Sequence, residues 1–124
     1  MKIYKVHEKL FDTEVRIVTD CTVEEFYKYL KKLRKNVKTD GYDATTRGMF
    51  IRFNHVPRWI LWVRKLNKSK ECLPVLAHEL IHLCVAICED RGVPIYHEGT
   101  LKDSGDETLG YLYEWFFKEI LNKL

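Results

Sequence analysis

The sequence predicts an α+β domain: a small mixed sheet with a packed N-terminal helix, a central helix and a C-terminal helix. Three observations predict it. Short runs with strand-like alternation fill the N-terminal half. A capped amphipathic segment beginning at Thr22 interrupts them. Two long helical stretches, Pro74–Cys88 and Gly105–Asn122, then close the chain. At 124 residues the length is that of a single domain, expected to span 1–124, and 46% hydrophobic residues with 3 Trp, 7 Tyr and 6 Phe can fill one core.

Taken in order, Ile3–His7 and Glu14–Thr19 are the first two expected strands. Val15 and Ile17 alternate with Arg16, and Lys9-Leu10-Phe11-Asp12-Thr13 links the two as a hairpin turn. Thr22-Val23-Glu24-Glu25 is a capping box, with Glu25 reaching back to the residue that caps the helix. Val23, Phe26, Tyr27, Leu30 and Leu33 follow as its apolar face. Lys28, Lys31, Lys32, Arg34 and Lys35 mark the opposite face, with Lys38 beyond the end. A basic face of this kind can meet nucleic acid or an acidic partner. Without aromatic residues to stack bases it reads better as a solvated face, so nucleic acid is not the expected partner.

Asp40-Gly41 and Arg47-Gly48 punctuate a loop. Met49–Phe53 is a strand, and Arg58–Arg64, after Pro57, is a strongly apolar one. If that second strand lies at a sheet edge, its free backbone groups could pair with an extended peptide; otherwise it is a plain core strand. Pro74 suits the first turn of the central helix, Gly92 its left-handed stop, and Pro94 prevents continuation. That helix is apolar almost all round and is expected to be covered on both sides. Val93–Asp103 is a loop. Leu109, Leu112, Tyr113, Phe116 and Ile120 form the stripe of the last helix.

The net charge of +3 is too mild to demand a polyanionic partner. The charged opening Met1–Glu8 has no apolar core of a signal peptide, and no apolar run is long enough to span a bilayer, so no membrane partner is expected. Cys21, Cys72, Cys84 and Cys88 form no dense framework and are expected to be reduced and buried, in a cytoplasmic protein. A second metal site using Cys84 and Cys88 is the alternative for that pair.

Chemistry concentrates in His78-Glu79-Leu80-Ile81-His82, the pattern H-E-x-x-H inside the central helix. Residues four apart on a helix share a face, so both imidazoles can grip one tetrahedral ion at about 2.0–2.1 Å. Glu79 lies beside them, where a carboxylate can act as general base. The alternative is a pair of core histidines bonded to backbone. A catalytic zinc site needs a third protein ligand and an open position. The longer pattern with a third histidine is excluded, because Val85 stands at its glycine and Cys88 at its last histidine. The remaining candidates are His97, Glu98, Asp106, Glu107 and Glu114. Glu107 also fits a capping box with Ser104, hairpin arithmetic favours Glu114, and the long connection from Arg91 to Asp103 leaves the choice open.

His78-Glu79-Leu80-Ile81-His82 followed by Glu107 at the opening of the next helix resembles the gluzincin arrangement of zinc metallopeptidases. Glu89-Asp90-Arg91-Gly92-Val93-Pro94, Asp106-Glu107 and Tyr111-Leu112-Tyr113-Glu114-Trp115 are similar to small metallopeptidase-like proteins encoded by bacteriophages. The layout also resembles the peptidase domain of ImmA/IrrE-type proteins, which cleave repressors. The likeness covers roughly residues 70–120; the large lobes of typical gluzincins have no counterpart here. It implies a minimal zincin-like fold, Zn2+ held by His78, His82 and Glu107, Glu79 as base, and the host cytoplasm as compartment if the chain is phage-encoded.

The expected activity is zinc-dependent hydrolysis of a peptide bond in a protein or peptide substrate. Zinc lowers the pKa of a water toward 7, Glu79 takes its proton and passes it to the leaving amine, and a donor meets the developing oxyanion. Tyr111, one turn after Glu107, and His97 are the donor candidates, although an aromatic at helical spacing is more often core. The competing expectation is a zinc-stabilised, non-enzymatic binding or structural protein, such as a phage-encoded inhibitor or virion component. It predicts a closed site with a fourth ligand from His97 or Cys84. The sequence carries no signal for oligomeric state.

Overall fold

The computed structural model describes residues 1–34, 43–93 and 104–124. The chain runs β1 (Lys2–Glu8), β2 (Thr13–Thr19), α1 (Val23–Leu33), β3 (Gly48–Arg52), β4 (Trp59–Val63), α2 (Leu73–Asp90) and α3 (Ser104–Lys123). This is a mixed α+β architecture with one four-stranded sheet in the order β1-β2-β4-β3. The β1–β2 and β3–β4 pairs are antiparallel, whereas β2 and β4 run parallel. The expected loops at Asp40-Gly41 and Val93–Asp103 lie outside the described residues except for Val93, as do Lys35, Lys38, His97 and Glu98.

The β1–β2 hairpin turns on Glu8. Its side chain is buried, and its two carboxylate oxygens accept the backbone N–H groups of Leu10 (2.6 Å) and Phe11 (2.8 Å). A carboxylate is costly to bury unless it is hydrogen-bonded, and the turn supplies those donors. The capping box opens α1 as expected: Thr22 Oγ1 accepts from the Glu25 N–H at 3.1 Å, and Glu25 Oε1 accepts from the Thr22 N–H at 3.1 Å.

The sheet is covered on both faces. Val18, Ile60 and Trp62 point to α1, where Phe26 stacks on Trp62 at 5.4 Å. Val15, Ile17, Trp59, Leu61 and Val63 point to the other face, against Leu76, Leu80, Leu83 and Ile87 of α2. Leu112, Phe116 and Ile120 of α3 join that same core; α2 lies over β3 and β4, and α3 packs against both α2 and β1. All five residues of β4 are buried because it has a strand on each side and a helix on each face. The strand ahead of the central helix is therefore an interior strand. β3 takes the edge instead.

Proline stands in the first turn of α2, where a missing N–H costs nothing. The helix stops on Gly92, at φ +70°, a left-handed conformation that a Cβ disfavours. Gly92 N–H returns to the Glu89 carbonyl at 3.1 Å and Val93 N–H to the Cys88 carbonyl at 2.9 Å, a Schellman closure. Asp90, in the last turn, accepts from both Arg52 (2.6 Å) and Arg58 (3.0 Å), tying the helix to the ends of β3 and β4. Among the described residues no helix is long and apolar enough to cross a membrane.

Candidate functional site

Helical geometry places His78 and His82 one above the other on the open side of α2. Both are exposed. Their rings meet edge to face, with centroids 4.8 Å apart, and their Nε2 atoms converge to 3.3 Å. Two nitrogens bound to one tetrahedral ion at about 2.0–2.1 Å would stand roughly 3.3–3.4 Å apart, so this pair already has the separation that zinc requires. Glu79 turns inward from them. Its side chain is 16% exposed, and Oε1 lies 4.0 Å from His78 Nε2. It stands beside the pair, close enough to serve a water held there.

Glu79 is held from above by the edge strand. A Cβ placed on Gly48 would stand 2.5 Å from Glu79 Cγ, 3.2 Å from Glu79 Cδ and 3.2 Å from the Trp62 carbonyl. A side chain there would have to push aside either the Glu79 carboxylate arm or the strand. Arg47, Gly48, Pro74, Val75, His78 and Glu79 line an open cavity of about 370 Å³, within the size range of small-ligand sites. A second hollow of about 220 Å³ adjoins it and shares Arg47 and Val75. Arg47 and Gly48 are thus site residues that sequence reasoning took for loop punctuation. The only local signal was a glycine directly ahead of a strand.

The backbone of β3 adds a second element. Arg64 N–H donates to the Arg47 carbonyl (2.9 Å) and Phe53 N–H to the Arg58 carbonyl (2.6 Å). With Gly48 opposite Val63, these bonds set the phase of the ladder. Residues 47, 49, 51 and 53 face β4, and the N–H and C=O groups of Gly48, Phe50 and Arg52 face outward along an edge that no other strand among the described residues pairs with.

The remaining sequence candidates lie on α3 or outside the described residues. Glu107, Tyr111, Glu114 and Lys118 all fall on its exposed stripe. Tyr111 is 47% exposed and lines a separate hollow of about 170 Å³ with Glu114, Trp115 and Lys118. Among the described residues no group of three or more His, Cys, Asp or Glu side chains is gathered at metal-binding spacing, so Glu107 is not drawn in beside His78 and His82. His97 and the side chain of Asp106 lie outside what is described.

All four cysteines are free and buried. Burial, with the neighbouring Cys88 adding to it, pushes the Cys84 thiol up to about 12. Burial also raises Cys88, helped by the charge of Glu89. Both thiols lie in the packed core, and among the described residues no group of three or more potential ligands gathers around them.

Compared with protein-family models, curated proteins and solved structures, the chain finds no match in any of the three.

Proposed function

We propose that this protein is a zinc-dependent peptidase of minimal zincin-like architecture. The observation that carries the reading is the convergence of His78 and His82 Nε2 at 3.3 Å, with the Glu79 carboxylate 4.0 Å away. The open cavity beside them and the free edge of β3 support it further. Both histidines are exposed, so the pair is reached from solvent rather than closed off.

Bound between the two imidazoles, zinc would supply a water of lowered pKa and a Lewis acid for the scissile carbonyl. The Glu79 carboxylate takes the proton of the attacking water and returns it to the departing amide nitrogen. Gly48 keeps that carboxylate in place. The outward N–H and C=O groups of Gly48 and Phe50 pair with an extended peptide laid along the edge, and so bring its backbone past Glu79. Glu107 is the proposed third ligand and Tyr111, one turn further on, the proposed oxyanion donor. Both assignments rest on the resemblance to gluzincins. A cytoplasmic setting, with reduced cysteines, belongs to the same reading.

Native mass spectrometry of zinc-loaded protein, paired with a peptide-library digest, tests the proposal. One zinc per chain is expected, with cleavage products in the wild type and none in Glu79→Gln although its zinc is retained. Failure to take up zinc under any loading condition would overturn it. Zinc uptake without cleavage of any peptide would leave the non-enzymatic binding protein.

A further inference from the structure

We propose that the hollow adjoining the catalytic cavity is a subsite for an acidic side chain, so that the preferred peptide carries Glu or Asp a residue or two from the scissile bond. The cleavage part rests on the peptidase reading; the recognition of a carboxylate does not.

The two hollows are neighbours that share Arg47 and Val75 in their walls. The second one gathers Arg47, Arg64 and Lys65 against a single anion, Glu71. Arg64 is already committed. Its Nε donates to the Thr46 carbonyl at 3.2 Å, and its Nη2 donates to the carbonyls of Thr46 (2.8 Å) and Ala44. Its guanidinium also sits 5.9 Å from the Trp62 ring centroid. These bonds build the segment ahead of β3 and hold the backbone of Arg47 in register.

Arg47 and Lys65 are different. Both are exposed, and among the described residues neither has a carboxylate within ion-pair distance. Elsewhere the arginines near a carboxylate use it: Arg16 meets Glu14, and Arg52 and Arg58 share Asp90. Two cations without a carboxylate partner among the described residues, in the wall of one hollow and beside a cavity that would hold a peptide, favour a carboxylate as guest. The guanidinium fork matches that group in two hydrogen bonds, which an ammonium alone cannot do.

Position decides which carboxylate. Arg47 directly precedes Gly48, and Gly48 lies over Glu79. In an extended peptide, neighbouring side chains point to opposite faces and each residue advances about 3.3 Å, so Arg47 reaches a side chain close to the scissile bond rather than a distant one.

The test uses the full-length, zinc-loaded Glu79→Gln protein and fluorescein-labelled alanine-rich hexapeptides with amidated C-termini. A single Glu is walked along the peptide and compared with Gln at each place by fluorescence anisotropy. The expected result is binding about tenfold tighter for Glu at one position, with the preference lost in Arg47→Gln and reduced in Lys65→Gln. Equal binding of Glu and Gln peptides, or a preference that survives Arg47→Gln, would overturn the subsite. A Gln peptide with a free C-terminus that binds in an Arg47-dependent way, while internal Glu does not, would overturn it in favour of the chain end. Wild-type digests separate the two proposals. Cleavage with no acidic preference removes the subsite and leaves the peptidase. Arg47-dependent binding of Glu peptides without cleavage does the reverse.

Discussion

Gly48 and Glu79 are packed so closely that a methyl group on the glycine would stand 2.5 Å from Glu79 Cγ. Backbone and side chain meet across 31 positions of sequence, with the Trp62 carbonyl closing the space behind. Gly48→Ala must therefore move either the edge strand or the carboxylate. The expected outcome is a protein that still binds one zinc but cleaves about 100-fold more slowly, the scale of loss for a displaced catalytic group. Zinc stoichiometry and kcat/KM measured together check it; unchanged kcat/KM would show that Glu79 needs no such support.

Zinc should stabilise the fold, because the convergent histidines belong to the folded helix and not to the unfolded chain. At about 100 times its dissociation constant, zinc is expected to add about 2.7 kcal/mol, or roughly 10 °C in Tm for a chain of this size. His78→Ala and His82→Ala should each abolish the shift in differential scanning calorimetry. Exposed as both side chains are, the metal-free Tm of these variants should barely change.

The third ligand is decided by comparing Glu107→Ala with Glu114→Ala. Glu107→Ala is expected to weaken zinc binding by about 10- to 100-fold in a competitive chelator titration, while Glu114→Ala leaves it unaltered. Equal effects, or none, would move the ligand to Asp106 or His97.

Asp90 sets an acid limit. Its partial burial works to raise the carboxyl, but the hydrogen bond and charge of Arg58, and then the charge of Arg52, outweigh it and hold the group below its ordinary value. A carboxyl depressed in the folded state contributes stability above its unfolded value of about 3.9 and loses it as pH falls through the lower folded value. Asp90→Asn should cost about 1 kcal/mol at pH 7, since two half-exposed guanidiniums lose their shared negative charge and one of its two acceptor oxygens. As pH falls through the lowered folded value of Asp90, the wild type and the variant should converge in urea midpoint; a gap that persisted once the carboxyl is protonated would place the effect in packing.

The thiols give a further check. With Cys84 pushed up to about 12 and fully buried, it should resist iodoacetamide at pH 8 in the native state. Rapid native labelling at Cys84 would contradict the packing of α2 against α3.

Much of this arrangement was legible because it is local. The capping box at Thr22 and Glu25, the stop at Gly92 and the pairing of His78 with His82 each depend on residues within one or two helical turns. The stripe of α3 likewise follows from its period: Leu112, Phe116 and Ile120 are buried where periodicity put them. Strand order was not legible, because the apolar run Trp59–Val63 looks alike at an edge or in the middle of a sheet. Its lack of alternation, buried on both faces, was the only hint of a central place. The contact between Gly48 and Glu79 depends on how β3 lands on α2, which no local pattern encodes. For the third ligand, Glu107 begins a helix whose approach is governed by the preceding connection, and that connection carries no period to read.

The shared carboxylate of Asp90 also gives the edge strand one of two anchors. Through Arg52, β3 is riveted to the end of α2, while just ahead of Gly48 the Arg64 side chain grips the Thr46 and Ala44 carbonyls and the Arg64 N–H bonds the Arg47 carbonyl. The strand is a rail pinned at both ends rather than a flap. Amide exchange should accordingly be similarly slow at Met49 and at Ile51, both of which bond to β4. Such an edge is already straight before any guest is laid along it.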